Sequence, residues 1–525
     1  MSKLEATQQK DVAGTESYVS GHFGTFRSRW QIQVIVACYA LSRAAFWSLG
    51  VRFSSTEVEG FWQYLDTTLL KHQMWTSLLY LHSQPPLMNL YYGILFQAFP
   101  THWPMVAYGL NLLLGLLAYL AIYTIMIRNS VPRAIALCVV IVALCNPSAV
   151  VYEAEPFYTH TAFCLLVFAA YFFDKYLRLS GIGACAGFLG TLTALSLWRA
   201  SYQLAWYLLI AFWLVRLTPA RLLRRVVILA SIFGCLIGAL YLKNWILFGS
   251  FNSSSASGMS LAKSWSGPRA MEFVREGKLS PISGVPAPDS MDKYLPVIGP
   301  QRKTGVRALD AVFKDNGSMN LNNIGYPEVS GLYTKDYLRL LKLSPKTVAE
   351  QGARSWLDYF RPNSVWIGWF DRQNQSSVEV VDLWYRYLFC SGAEYALDSD
   401  IGSKDHPGTQ EEYLHRRLRA VCWQIVAVYV MLAAFLVSVP FQRWLTANDR
   451  LQRPLLLFMI STVAYNAILS NAVEVAENMR YRFEVQGLVL AAATIICYSI
   501  LSRLSNHRDG ARSNRVTADD SRRRE

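Results

Sequence analysis

Residues 82–100 read HSQPPLMNLYYGILFQAFP. The stretch is apolar, but from Leu87 to the closing Pro100 it holds only fourteen residues. A helix that spans the hydrocarbon core of a bilayer needs about 20. Whether this segment crosses or lies on the surface decides which face every later loop occupies.

Ten other apolar runs, with charged flanks, read as spans: about 30–50, 103–127, 134–152, 157–174, 181–198, 202–216, 224–247, 418–440, 454–471 and 485–502. Arg27 and Arg29 precede the first, which puts the N-terminus inside. If 87–100 crossed, Arg128 and Arg133, Lys175 and Arg178, and the cluster Arg221, Arg224 and Arg225 would all lie outside. If it does not cross, all of them lie inside. So do Arg443, Arg450, Arg453 and the tail RDGARSNRVTADDSRRRE. Short cytoplasmic loops carry the excess of Lys and Arg. The charge pattern therefore assigns 87–100 to an outer interfacial or re-entrant helix.

The resulting plan is an all-α polytopic membrane protein of about ten transmembrane helices. A tail over 1–29 is followed by a transmembrane module over 30–247 with its first outer loop at 51–102. A mixed extracytoplasmic insert fills 248–417, helices follow over 418–502, and a basic tail over 503–525 closes the chain. The composition agrees. Only 16% of the 525 residues are charged, against about 25% in average globular chains. Mean hydropathy is +0.21. The net charge of +14 sits largely in short loops and the tail, so topology explains it without nucleic acid. Of nine Cys, only Cys390 lies in a polar stretch, and no disulfide framework or zinc spacing exists. No signal-peptide core precedes residue 30. The run SWLDYFRPNSVWIGWF has the aromatic character of a headgroup-level segment.

The outer face collects the chemistry-bearing residues. Glu57, Glu59 and Asp66 follow the first span, and Glu153 and Glu155 stand at the next outer tip beside Tyr152 and Tyr158. Such acids are either solvated ends or a shared anionic pocket for a base or a divalent cation. Arg199 ends an outer helix without basic companions. Lys243 and Asn244 sit near the outer end of the seventh span, before a Ser-rich run. Arg480 and Arg482, beside Glu474, Glu477 and Glu484, break the charge rule. They either pair with those glutamates or offer planar forks to a lipid phosphate. No P-loop, dinucleotide fingerprint, GxSxG or HExxH appears.

The layout resembles the GT-C superfamily of membrane glycosyltransferases, such as protein O-mannosyltransferases and the lipid A aminoarabinose transferase. HSQPPL resembles the family's His-Pro-Pro-Leu element. ENMRYRFE resembles its Glu-x-x-Arg-Tyr element, and LKNWILFGSFNSSS a Lys-Asn, Gly, Ser-rich stretch of bacterial relatives. The family often has His or Lys directly before the prolines. Here Gln84 stands there, and His82 lies two residues earlier.

The resemblance implies a polyprenyl-phosphate-linked sugar donor, a glycan, lipid or protein acceptor, and inverting transfer on the periplasmic or lumenal side; with no retention signal evident, the expected membrane is a bacterial inner membrane. Asp66 is the first expectation for the base, then Glu57, with Glu155 positioning the acceptor or a divalent cation. His82, Gln84, Tyr158, Arg199, Lys243, Asn244, Glu477, Arg480 and Arg482 are expected around the substrate. Arg480 and Arg482 in particular are expected as outer cations removable without harm to the fold. The rival readings are a carrier or flippase for a lipid-linked sugar, which needs no base, and a non-catalytic subunit of an envelope assembly complex.

Overall fold

The computed structural model describes residues 29–364, 374, 377–389, 418–447, 449–474 and 477–522. Cys390, the aromatic run from residue 365 onward and the tail before residue 29 lie outside the described residues. Regular structure among the described residues is helical, with one isolated bridge between Phe313 and Met319. The helices that position the site are α1 (Arg29–Ser48), α2 (Pro86–Ala98), α3 (Trp103–Arg128), α4 (Arg133–Leu144), α5 (Pro147–Ala154) and α6 (Tyr158–Leu179). Then come α7 (Ile182–Trp198), α8 (Leu204–Leu217), α9 (Ala220–Phe248), α10 (Ser257–Ala262), α11 (Tyr326–Leu343) and α12 (Pro345–Tyr359). The last are α13 (Trp423–Val437), α14 (Val439–Leu445), α15 (Gln452–Val473) and α16 (Asn478–Arg522).

Each of the ten apolar runs falls on one of these helices or on a broken pair, but not every one of these is long and apolar enough to cross a membrane. Among the described residues, four helices are long and apolar enough to cross a membrane: α3, α9, α15 and the Asn478–Ser505 part of α16. The count reaches six if the pairs α4 with α5, bent by 56°, and α13 with α14, bent by 99°, each form one span. α7 and α8 are apolar but shorter. The outward faces match this reading. Leu209, Phe212 and Ile246 are each more than 60% exposed on α8 and α9, a surface that suits lipid rather than water.

The opening stretch forms α2. Pro85 is extended at the helix start and Pro86 takes the first turn, where its missing N–H costs nothing. The helix ends at Ala98, before Phe99 and Pro100. Thirteen residues make a helix of about 20 Å, shorter than the roughly 30 Å hydrocarbon core. Its inner face buries Met88, Asn89, Tyr92, Leu95 and Phe96. A side chain at Gly93 would meet the Met74 sulfur at 2.6 Å, so this face packs without spare room.

The break between α4 and α5 has a local cause. Asn146 caps α5 through its Oδ1, which accepts from the Ser148 N–H at 2.9 Å, and Pro147 cannot donate backward. The carbonyl of Leu144 is freed by the break. Arg43 on α1 donates Nη1 to it at 2.6 Å. The same guanidinium holds Glu153 at the far end of α5, with Nε on Oε2 at 2.8 Å and Nη2 on Oε1 at 2.5 Å. Arg43 thus clamps both sides of the break, and it is buried with its partner. Of the two readings of this tip, a solvated end fails for Glu153, because a buried arginine takes both its oxygens.

The insert has its own core, built from Trp265, Met291, Tyr294, Tyr326, Val329 and Tyr333. It is pinned to the segment before α2 by His82. The His82 Nε2 lies 3.0 Å from the Asn322 carbonyl, and Nδ1 lies 2.5 Å from the Ser255 hydroxyl. A carbonyl only accepts, so Nε2 carries the proton and Nδ1 accepts from Ser255. Burial lowers the His82 pKa from 6.5 to about 3, and the charge of nearby Lys243 acts the same way. The folded state therefore binds fewer protons than the unfolded chain between about pH 3 and 6.5. Stability is full above that window and falls as the pH drops through it. Going from pH 7 to 5 should cost about 2 kcal/mol at this site. Comparing unfolding transitions of the native chain and His82→Gln at both values checks this. An unchanged pH slope in the variant would remove His82 from the account.

Candidate functional site

A cavity of about 230 Å³ opens where the start of α6, the end of α7, the end of α15 and the start of α16 meet the insert. Its wall includes Trp62 and Gln63 from the first outer loop, Gln84 before the prolines, and Tyr158 and Arg199 from the helix ends. Ser254, Ser257 and Lys263 come from the insert, and Glu474, Glu477 and Tyr481 from the last connection. One edge is apolar, with Tyr241, Phe251 and Leu469. Phe251 is 63% exposed on the outward side.

The charged groups form one linked set. Lys263 Nζ lies 2.7 Å from Glu474 Oε1 and 3.6 Å from Glu477 Oε1. The Tyr481 hydroxyl donates to Glu474 Oε2 at 3.3 Å. Arg480 Nη2 donates to Glu477 Oε2 at 2.5 Å. Arg199 pairs with the buried Glu484 and stacks over the rings of Tyr158 and Tyr481, at 3.9 and 4.2 Å from their centres. Its Nη2 is buried with no hydrogen-bond partner among the described residues. A buried guanidinium donor left open in this way is costly unless a ligand completes it.

The two cavity carboxylates are driven apart in acidity. Burial pushes the Glu474 carboxyl above its ordinary value, and Glu477 adds to this against Lys263. Burial acts likewise on Glu477, but Lys263, Arg480 and Arg199 outweigh it and hold that carboxyl below its ordinary value. Carboxylate pairs separated in this way divide into a proton acceptor and a fixed charge.

Of the residues expected around a substrate, Gln84, Tyr158, Arg199 and Glu477 come together at this cavity. The others do not line it, although Arg480 reaches it through Glu477. His82 pins the insert. Lys243 Nζ donates to the Leu81 carbonyl. Asn244 holds the turn after α9, with Nδ2 donating to the Asn252 carbonyl at 2.8 Å. Glu155 is buried at the end of α5, where its charge acts on the phenols of Tyr64, Tyr92 and Tyr152. Glu57 is half-buried in the short turn Glu57–Gly60.

Asp66 occupies a separate cleft with Glu59, Lys314, Asp315 and Asn316. Both its oxygens accept backbone N–H groups, Oδ1 from Thr68 and Oδ2 from Asp315, each at 2.8 Å.

Arg480 and Arg482 require a correction. They are not removable outer cations. Arg480 is 1% exposed, tied to Glu477 and set over the Phe157 ring at 4.6 Å. Arg482 is 5% exposed and donates to the Tyr359 carbonyl at 2.9 Å. The start of α16 packs inside the helix bundle, so a charge there must be held by partners.

Sequence reasoning passes over Lys263 and Arg43. Lys263 is a lone lysine in a Ser-rich stretch, and nothing in the pattern marks it. Arg43 has a signal: an arginine deep inside the twenty-residue helix α1, whose other arginine, Arg29, is its first residue.

As to a divalent cation, no three His, Cys, Asp or Glu residues come together as a ligand set among the described residues. No family model, no curated protein and no solved structure matches the chain.

Proposed function

We propose that this chain is an integral-membrane glycosyltransferase of the GT-C kind. It moves a sugar from a polyprenyl phosphate to a hydroxyl or amine acceptor on the extracytoplasmic face of a bacterial inner membrane. The reading includes ten spans, both chain ends in the cytoplasm, α2 on the outer surface and the insert outside. The observation that carries it is the Arg199 Nη2, buried without a hydrogen-bond partner among the described residues, in a side chain that lines a cavity with two carboxylates of opposed acidity. The cavity's apolar edge suits a lipid tail and its polar wall a phosphate and a sugar.

The chemistry follows from the groups. An acceptor O–H or N–H loses its proton to the Glu474 carboxylate as its heteroatom attacks the anomeric carbon. The bond from that carbon to the phosphate oxygen breaks with its electron pair. Polyprenyl phosphate leaves, and its new charge is met by Arg199. Displacement from the opposite face inverts the anomeric centre. Glu477 stays ionised and, with Glu474, keeps Lys263 charged beside the site. Fixed donors aimed at developing charge are the largest source of such catalysis.

The test is purified protein mixed with radiolabelled polyprenyl-phosphate sugars. Release of polyprenyl phosphate with at least one donor is the expected result. Tight binding of polyprenyl phosphate without turnover of any donor would place the chain among lipid-sugar carriers instead.

A further inference from the structure

The first outer loop reaches the cavity through Trp62 and Gln63, and the segment around them is held from the insert side by one turn. Lys314 Nζ donates to the Phe61 carbonyl at 2.7 Å and reaches the Glu59 carbonyl at 3.4 Å. Asn316 Nδ2 donates to the same Glu59 carbonyl at 2.8 Å, and the Ser318 hydroxyl at 3.2 Å. Asp66 closes the other end, accepting from the Asp315 N–H at 2.8 Å while it caps the helix Thr67–His72. From the membrane side, Asn89 of α2 accepts from the Leu65 N–H at 2.8 Å and donates to the Gln63 carbonyl at 3.3 Å. The segment 59–66 is thus bonded on two sides by parts of the chain far apart in sequence. Trp62 stands between them, packed on the insert core, with Lys263 Nζ 5.5 Å from its ring centre.

We infer that Asp66 and Lys314 form a latch that sets Trp62 and Gln63 against the cavity, so that Asp66 is a positioning residue. This rests on the proposed reading of the cavity as the transfer site. The physical basis is that an irregular segment has no ladder of its own. Its backbone groups take partners wherever the fold offers them, and those partners fix its path. Asp66 lines a cleft apart from the cavity, and each of its oxygens already accepts a backbone N–H. What it supplies is the register between the loop and the turn 314–318. Trp62 then stays beside Lys263, and Lys263 between Glu474 and Glu477.

The experiment compares Asp66→Asn and Lys314→Met with the unaltered full chain in micelles. Asn offers one acceptor oxygen where Asp offers two, so one of the two backbone bonds is lost. Hydrogen exchange over 59–66 and 312–318 should quicken about ten- to a hundredfold in both variants. The KM for a polyprenyl-phosphate sugar should rise about tenfold while the saturated single-turnover rate stays within a few-fold. Asp66→Asn combined with Trp62→Ala should be no worse than Trp62→Ala alone, because both changes act through one contact. Unchanged exchange together with a hundredfold loss of saturated rate would overturn the latch and make Asp66 the base. Faster exchange with KM and rate both unmoved would overturn the positioning role. The exchange measurement reads the latch even if no donor is turned over, so failure of the latch and failure of the transferase reading give different results.

Discussion

Glu474→Gln is expected to lower single-turnover sugar transfer by about 10²–10⁴-fold, the usual contribution of a positioned general base. The substitution keeps the volume. Its remaining oxygen can still accept from Lys263 or Tyr481, which lie 2.7 and 3.3 Å from the carboxylate. What disappears is an oxygen able to hold a proton. Binding of the lipid-phosphate donor should change little, since Arg199 is untouched. The pH profile adds a second reading. A base must be unprotonated, and burial raises the Glu474 carboxyl, so activity is lost as the pH falls through a value above the ordinary carboxylate range. That acid limb should vanish with the residue. Transfer at near the native rate in Glu474→Gln would put the base elsewhere, and Glu57→Gln and Glu155→Gln would be the next variants to measure.

The other large effect is on stability. Arg43→Met should destabilise the fold by about 3–5 kcal/mol, the cost of leaving a buried charge without its partner. Glu153 is 1% exposed and receives two of the guanidinium's bonds, and the Leu144 carbonyl at the break between α4 and α5 receives a third. Buried as these groups are, no water takes the bonds over. Arg43→Met combined with Glu153→Gln should recover much of the loss, because replacing both members of a buried pair is far milder than removing one. What remains is the open Leu144 carbonyl, about 1–3 kcal/mol. Unfolding titrations in mixed micelles for the two single changes and the pair give the coupling directly. A loss below about 1 kcal/mol in Arg43→Met would show that the break is held by packing alone.

The periodic and compositional features are legible in the amino-acid string. Long apolar runs show helices because the bilayer leaves the backbone no partner but itself. The fourteen residues after the prolines are too few to cross, and α2 has thirteen. A cavity residue can be picked where a polar side chain interrupts an apolar helix end, as Tyr158 and Arg199 do. Pro147 and Pro440 mark the broken spans once the bends are known, but the strings on either side read as single apolar runs.

Which acid faces which space is not legible there. Asp66, Glu57, Glu153, Glu155, Glu474 and Glu477 are equivalent as letters near outer helix ends. Asp66 is distinguished by the Asp315 N–H, 249 residues away, and Glu153 by Arg43, 110 residues away. Glu474 is distinguished by Lys263, 211 residues away. None of these pairings has a period or a motif. The sequence by itself determined a helical chain with several runs apolar enough to cross a membrane, and with acids and arginines clustered at the ends of apolar runs, since hydropathy and charge act locally along the chain. Only the tertiary structure decided which of them are clamps, which is a latch, and which line a cavity. Desolvation and pairing are set by neighbours in space, and the same carboxylate is a cap, a counter-ion or a base according to what is packed against it.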